Sequence, residues 1–141
     1  MDCLFCKIAR GELPSAKVLE TDQAVVFLDS RPVNPGHVLL IPRDHHETLS
    51  DVPDELAAHA GRLLPRVCRA VRRATGAEAL NIIVNHGEAA GQTVLHLHWH
   101  IIPRRADDAV RWPWPHTPYR GDELDRMRAR IERELAPVAN E

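Results

Sequence analysis

Three histidines, His96, His98 and His100, stand at alternate positions along one short run of the sequence. Their alternation with apolar residues predicts a β-strand, in which successive side chains point to opposite faces. The three imidazoles therefore share one face, at spacings of about 6–7 Å. The other face carries apolar side chains that can bury against a core: Leu97, Trp99 and Ile101. Imidazoles at this spacing are typical of a metal site or of a surface that reacts with phosphate.

A loop bounded by glycines, Gly87–Gln92, comes directly before the histidine strand. Glycine allows the backbone to approach a ligand closely and to present its N–H groups. Gln92 and Thr93 add side-chain donors beside the imidazoles, a combination that suits an anionic phosphorus centre better than a carbonyl carbon. His37 opens a second apolar strand and can pair with the other histidines across the sheet. Together these residues favour chemistry at phosphate.

Two of the three cysteines, Cys3 and Cys6, form a C-x2-C pair. Such a pair is half of a tetrahedral zinc site, so two further ligands must come from elsewhere in the chain. The third, Cys68, lies on the apolar face of a predicted helix and is interpreted as a small core residue. A catalytic metal held by all three histidines of the strand is disfavoured, because no nearby carboxylate supplies an open-site ligand pattern.

The elements that must position these residues follow a strand-rich order. The predicted strands are Lys17–Glu20, Ala24–Leu28, His37–Ile41, Ala79–Asn85 and Thr93–Pro103. A long helix capped by Ser50 or Asp51 is expected to kink or break at Pro65 and to stop at Gly76. A second amphipathic helix covers about Asp122–Leu135. Short connections cannot make parallel crossovers, so this order predicts an α+β fold with a largely antiparallel sheet.

Composition sets the broad class of the protein. A chain of 141 residues with 44% hydrophobic and 27% charged residues is most simply one soluble domain. The formal net charge of −2 gives no general attraction to nucleic acid or acidic membranes, and together with the single cysteine pair it disfavours a zinc-finger nucleic-acid binder. No apolar run is long enough to span a bilayer, and the N-terminus lacks a signal-peptide pattern. We therefore expect a cytoplasmic protein without disulfides.

The motifs closely resemble those of the histidine triad (HIT) family. The family pattern H-φ-H-φ-H-φ-φ, with φ apolar, is satisfied at every position by His96–Ile102. Gly36–Pro42 and Gly91–Val94 add to the resemblance, and Cys3–Pro14 is similar to the N-terminus of the zinc-containing bacterial, Hint-like members. The resemblance implies a HIT fold over residues 1–141, with a zinc-knuckle arm at 1–14 and a variable tail and helix at 105–141.

This resemblance implies cleavage of a bond at the α-phosphorus of a nucleotide, through a nucleotidyl-histidine intermediate. By position in the motif, His98 would be the nucleophile, while His100 and His37 would stabilise the phosphoryl oxygens and assist proton transfer. Phosphate contacts would come from Gln92, Thr93 and Asn85, and Asp29 would hold the ribose hydroxyls. The candidates for the purine slot are Phe5, Ile8 and Phe27. His86, next to Asn85, has no assigned role.

The resemblance also supplies the missing half of the zinc site. Relatives that contain zinc add a histidine after the Ile-Pro strand end and the first histidine of the triad. The implied ligands are Cys3, Cys6, His45 and His96, with His46 as an alternative to His45. Four protein ligands would close the site, so the zinc would be structural and no catalytic metal is expected.

The substrate remains open between two nucleotides. The zinc-type N-terminus favours adenosine 5′-phosphoramidate, whereas the segment Glu88–Val94 is similar to the branch that hydrolyses dinucleoside polyphosphates such as diadenosine tetraphosphate. A regulatory nucleotide-binding module with vestigial catalysis is disfavoured by the intact histidine set. Family members are generally homodimers, so we expect a homodimer here. Candidates for leaving-group recognition lie in the tail: Trp112, Trp114, His116 and Tyr119.

Overall fold

The computed structural model describes residues 3–111 and 116–139. The chain divides into two compact units, residues 1–110 and residues 111–141. The first unit contains the helices α1 (Leu4–Ala9) and α2 (Asp54–Thr75) and the strands β1 (Lys17–Glu20), β2 (Ala24–Leu28), β3 (Val38–Pro42), β4 (Ala79–Ile83) and β5 (Trp99–Arg104). The second unit contains α3 (Glu123–Ala139). No helix among the described residues is long and apolar enough to cross a membrane.

The five strands form one antiparallel sheet in the order β1-β2-β3-β5-β4. The predicted α+β class with an antiparallel sheet is therefore confirmed. β5 lies between β3 and β4, which places His100 opposite Leu39 on one side and Ile83 on the other. The histidine strand is thus central, and it is held in register by hydrogen bonds on both of its edges.

Both faces of the sheet are covered in its central strands, which explains why β2 and β3 are apolar throughout. On one face, α2 packs against alternate residues of the strands: Val26, Val38, Leu40, Leu97, Trp99 and Ile101. On the other face, α1 packs through Phe5 and Ile8 against the intervening residues: Val25, Phe27, Leu39 and Ile41. The predicted alternation of Leu97, Trp99 and Ile101 away from the histidines is confirmed.

The structure corrects several predicted boundaries. The segment after Cys3, expected to be a knuckle and turn, forms the helix α1, and the Cys3 thiol caps it by accepting a hydrogen bond from the Cys6 N–H at 3.4 Å. The strand predicted over Thr93–Pro103 is regular only from Trp99, and residues 94–96 before it form a bend. β4 likewise ends at Ile83 rather than Asn85.

The long helix also differs from its prediction at the start and in the middle. α2 begins at Asp54 with Pro53 as its N-cap and no side-chain cap, whereas Ser50 or Asp51 was expected there. The Asp51 carboxylate is occupied by the N–H and hydroxyl of Thr48 instead. α2 continues as one helix through Pro65, and it ends as predicted at Gly76, whose positive φ of 68° suits glycine.

Candidate functional site

One face of the histidine segment carries its three imidazoles, and two of them pack against a single aromatic ring. The Phe5 ring of α1 meets His96 and His98 edge-on, at centroid distances of 5.9 and 5.1 Å. The His98 and His100 rings are 4.8 Å apart. The predicted common face is therefore confirmed, and Phe5 contacts both His96 and His98.

His98 is oriented by its own backbone. Its Nδ1 lies 2.7 Å from the carbonyl oxygen of His96, which can only accept a hydrogen bond, so Nδ1 carries the proton. Nε2 is then left with a free lone pair. Burial lowers the pKa of His98, and the charge of Asp29 opposes this only partly, so the ring stays neutral at pH 7. A neutral imidazole with one nitrogen held and the other free has the form that a nucleophile requires.

His37 and His100 form a hydrogen-bond chain whose direction is fixed. The backbone N–H of Val33 donates to Nδ1 of His37 at 3.1 Å, so the proton of this ring must be on Nε2. That Nε2–H donates to Nδ1 of His100 at 3.0 Å, which leaves the remaining proton of His100 on its own Nε2. Burial lowers the pKa of His37, and burial with its histidine neighbours lowers that of His100 to about 4. Both rings are therefore neutral, and His100 presents a donor.

Asp29 lies beside this chain. One carboxylate oxygen is 3.7 Å from Nε2 of His37, and the other accepts the backbone N–H of Arg31 at 2.9 Å. Asp29, His37 and His100 have the composition of a metal site and bring their donor atoms within 4.8 Å of one another. A metal on Nε2 of His37 would move the ring proton to Nδ1, where it would face the N–H of Val33. This clash between two donors favours the hydrogen-bond chain over a metal.

Of these side chains, Asp29, His98 and His100 line a cavity of about 340 Å³ between α1 and the loop that follows β2, whereas His37 does not line it. The cavity is within the size range of small-ligand sites. The predicted purine, ribose and catalytic candidates that line it are Phe5, Ile8, Phe27, Asp29, Thr93, His98 and His100. The lining thus combines apolar and aromatic side chains with a carboxylate and imidazoles. This combination suits a ligand with a flat apolar part and a polar, phosphate-bearing part.

A second cluster joins α1 to the histidine segment. Cys3, Cys6, His45 and His96 bring one ligand atom each within 4.8 Å of one another. The Sγ of Cys3 and that of Cys6 lie 3.4 and 3.5 Å from Nδ1 of His96, and Cys6 Sγ is also 3.4 Å from Nδ1 of His45. Sulfur and nitrogen ligands of a tetrahedral zinc ion are separated by about 3.5 Å, given the usual bond lengths. The four residues therefore fit zinc.

The proton on His96 also suits a metal ligand. Its Nε2 lies 2.8 Å from the carbonyl oxygen of Pro42 and must donate to it, so Nδ1 faces the two sulfurs with its lone pair. A backbone carbonyl that fixes the second nitrogen is the usual support of a metal-binding histidine. His96 is fully buried, and burial lowers its pKa to about 4, so it stays neutral. His46 does not belong to the cluster, and its carbonyl accepts the N–H of Leu97 at 2.7 Å.

Two of the predicted phosphate contacts, Gln92 and Asn85, are engaged in hydrogen bonds in and around the loop before the histidines. The Gln92 amide is buried: its oxygen accepts the N–H of Gly87 at 2.8 Å, and its nitrogen donates to the carbonyls of Glu47 and Val94. Asn85 donates to the carbonyl of Gly91 at 3.4 Å and closes the same loop. Neither side chain lines the cavity, so a phosphate contact by either would require it to exchange these hydrogen bonds.

Sequence reasoning missed part of the cavity wall. The other lining residues are Leu4, Pro14, Ser15, Ala16, Leu28, Ser30, Arg31, Leu39 and Val94. Those at 14–16 and 30–31 flank predicted strands, so their positions beside Asp29 could have been inferred from the β1–β2 pairing. Of the tail candidates, His116 and Tyr119 are exposed in the second unit. Trp112 and Trp114 lie outside the described residues.

Comparison with known proteins identifies the family of the chain. Residues 10–107 match the model of the HIT domain family. The chain belongs to that family. It is 43% identical over 109 residues to the adenylylsulfatase HINT3 of Arabidopsis thaliana, covering 77% of this chain but only 55% of that relative. It is also 35% identical to the adenosine 5′-monophosphoramidase HNT1 of Candida albicans, over 99% of this chain and 95% of the relative.

Solved structures of HIT proteins share the fold. A HIT family protein from Bacillus subtilis superposes with a TM-score of 0.90 at 39% identity, covering 96% of this chain and 99% of the other. A zinc-bound histidine triad protein from Mycobacterium smegmatis gives a TM-score of 0.73 at 35% identity, covering 97% and 98%. The predicted family and fold are thereby confirmed.

Proposed function

We propose that the chain hydrolyses or transfers nucleotides at the α-phosphorus, with His98 as the nucleophile. The observation that carries this proposal is the orientation of the His98 ring. Its Nδ1–H is held by the His96 carbonyl, its Nε2 is free, and the side chain lines the cavity. The phosphoramidase and adenylylsulfatase names of two relatives support a nucleotide substrate. A purine nucleotide would place its base among Phe5, Ile8 and Phe27 and its ribose hydroxyls on Asp29.

In the first half-reaction, the lone pair on Nε2 of His98 attacks phosphorus. The N–P bond forms as the P–N or P–O bond to the leaving group breaks; an amine leaving group takes a proton from solvent, whereas a phosphate or sulfate group leaves as its anion. In the second half-reaction a water molecule attacks phosphorus and gives its proton to solvent, and the N–P bond breaks to restore neutral His98. One water is consumed overall, and the charge that develops on the phosphoryl oxygens must be stabilised by the chain.

His100 and His37 supply part of that stabilisation as hydrogen-bond donors. The Nε2–H of His100 is the free end of the chain that starts at Val33. A neutral imidazole that lost this proton would become an imidazolate, so we assign His100 to charge stabilisation rather than to acid catalysis. Thr93 lines the same cavity and is a further donor for a phosphate oxygen. Gln92 and Asn85 stay predicted phosphate contacts.

We further propose that Cys3, Cys6, His45 and His96 hold a structural zinc ion. Zinc would tie α1, which carries Phe5 and Ile8, to the segment that carries His98. Because all four ligands come from the chain, the site has no open position for substrate. The zinc-bound HIT protein from M. smegmatis supports this assignment.

A homodimer is proposed as the assembly. β4 is an edge strand of the sheet and exposes Ile82, which is 47% accessible. An apolar edge of this kind is usually paired or protected. Light scattering of the purified protein across a concentration series tests the proposal, and a monomer at every concentration would contradict it.

Turnover assays test the activity directly. Adenosine 5′-phosphoramidate, adenylyl sulfate and diadenosine tetraphosphate would each be offered to the wild type, His98→Ala and the loop variant His86→Ala. We expect turnover of the phosphoramidate by the wild type and His86→Ala but not by His98→Ala, with the initial rate unaffected by a chelator. Preference for diadenosine tetraphosphate would select the alternative substrate. Absence of all turnover, or full activity of His98→Ala, would contradict the proposal.

A further inference from the structure

The loop between β2 and β3 forms hydrogen bonds with both the side chain and the backbone of His37. Besides the Val33 N–H on Nδ1, the backbone N–H of His37 donates to the carbonyl of Asn34 at 3.1 Å. The His37 carbonyl accepts the N–H of Asp29 at 2.9 Å, which closes the loop at its base. His37 is only 2% accessible. The direction of its hydrogen bond to His100 therefore depends on where residues 33 and 34 are held.

Asn34 holds the loop from outside the cavity. Its side-chain nitrogen donates to the carbonyl of Pro103 at 2.9 Å and to the Asp108 carboxylate at 3.0 Å. These two partners lie 69 and 74 residues away in sequence. The side chain thus ties the β2–β3 loop to the end of β5, the strand that carries His100. Neither Asn34 nor its partners line the cavity.

The anchor for Asn34 is a saturated carboxylate. Asp108 accepts two hydrogen bonds from the Arg104 guanidinium, at 2.7 and 3.1 Å, and one each from the backbone N–H groups of Arg105 and Val110. The Arg104 pair holds the pKa of Asp108 well below its usual range. Its side chain is 8% accessible, so the group stays an ordered acceptor. On the far side, Arg104 donates to the Asn81 amide oxygen at 2.6 Å.

We propose that Asn34 is a positioning residue that sets the direction of the His37–His100 hydrogen bond. By holding the loop against Asp108 and Pro103, it keeps the Val33 N–H on Nδ1 of His37. Without that contact, His37 can carry its proton on Nδ1 and accept a hydrogen bond from His100. His100 would then turn a lone pair, rather than an N–H, toward the phosphoryl oxygens. Its relevance to turnover rests on the proposed function.

The test compares Asn34→Ala with Asn81→Ala, which removes a contact from the same Arg104–Asp108 pair but leaves the loop untouched. We expect Asn34→Ala to lower kcat about 10-fold or more, as second-layer partners of functional histidines do, with KM within about twofold. Asn81→Ala should keep the wild-type kcat. Asn34→Ser, which is too short to reach both acceptors, provides a second variant in case Asn34→Ala does not fold.

A spectroscopic readout separates this inference from the proposed activity. In protein labelled with ¹⁵N-histidine, wild-type His37 should show a protonated Nε2 and an unprotonated Nδ1. The Asn34 variants should show protonation of Nδ1 in part of the population, whether or not any nucleotide is turned over. An unchanged His37 spectrum in folded Asn34→Ala or Asn34→Ser would overturn the inference, as would an unchanged kcat in an otherwise active enzyme.

Discussion

His96 and His98 lie two residues apart and contact the same Phe5 ring, yet they offer opposite nitrogens to their surroundings. His96 gives its Nε2–H to the Pro42 carbonyl and turns Nδ1 toward the cysteines. His98 gives its Nδ1–H to the His96 carbonyl and keeps Nε2 free beside the cavity. In the proposed function, the same residue type thus serves as a metal ligand or as a nucleophile according to which nitrogen a backbone carbonyl holds.

The residues around the His96 and His98 rings also differ in kind. Around His96 the partners are thiols and a second imidazole, all supplied by the chain, so the cluster is closed. Around His98 the partners are Asp29 and His100, and one side of the group faces a cavity. We infer that the cluster around His96 stabilises the fold, whereas the site around His98 takes up and releases ligands. The four predictions that follow test this separation.

The largest effect is expected from His98→Ala. Removing the nucleophile should lower kcat by about 10⁶-fold, the scale seen when the nucleophile of a covalent catalyst is removed. Zinc content should stay close to that of the wild type, because no hydrogen bond or ring contact joins His98 to the cysteines among the described residues, and the melting temperature should fall modestly because a buried ring is lost. Assay, metal analysis and thermal unfolding on one preparation check all three. Loss of zinc in this variant would break the separation between the regions.

Cys6→Ala should produce the opposite pattern. We expect bound zinc to fall from about one ion per chain toward none, and the free energy of unfolding to fall by several kcal/mol. At temperatures where the variant is folded, it should retain activity. Cys68→Ala is the matched control, because this half-buried cysteine of α2 lies outside the cluster. The Cys68→Ala protein should retain its zinc. Zinc-dependent rescue of kcat in folded Cys6→Ala would instead indicate a catalytic metal.

Much of this arrangement could be predicted from the sequence, because it follows from local periodicity. β1 and β2 have the predicted bounds, and the alternation from His96 to Ile101 places the imidazoles on one face. These features depend on side-chain type and on the period of the strand. The four residues that lie together as candidate zinc ligands, Cys3, Cys6, His45 and His96, are those that the family resemblance implied.

The rest depends on contacts between residues far apart in sequence. The carbonyl of Pro42, 54 residues away, decides which nitrogen of His96 carries the proton. The direction of the His37–His100 hydrogen bond likewise depends on the position of the Val33 backbone N–H. The buried hydrogen bonds of Gln92 likewise involve Glu47, 45 residues away. No periodicity in the sequence encodes these distances. The helix α1 was missed because its six residues are too few for a clear pattern.

Phe5→Ala tests a side chain that both regions share. Phe5 is 5% accessible and packs edge-on against Phe27 at 5.6 Å as well as against the two histidines. We expect a loss of about 3–5 kcal/mol in unfolding free energy, together with weaker zinc retention and a higher KM for nucleotide. Leu4→Ala, at an exposed neighbouring position, should affect stability little. Denaturant unfolding and zinc release measure the effect, and a change in only one region would show that Phe5 does not link them.

The smallest effect is expected from the pH dependence of stability. His100 has a pKa of about 4 in the folded protein but about 6.5 when unfolded, so the unfolded state binds more protons between these values. The free energy of unfolding should therefore decrease as the pH falls from about 6.5 toward 4. His100→Gln should weaken this decrease, whereas exposed His116→Gln should not. Identical slopes for wild type and His100→Gln would contradict the buried, neutral state.

The most direct test of the account is the proton position on His96 and His98. Long-range ¹H–¹⁵N correlation spectra of the zinc-loaded protein, assigned with His96→Asn and His98→Ala, report which ring nitrogen is protonated. The account predicts Nε2–H with an unprotonated Nδ1 for His96, and Nδ1–H with an unprotonated Nε2 for His98. The same tautomer on both rings, or a proton on Nε2 of His98, would contradict it.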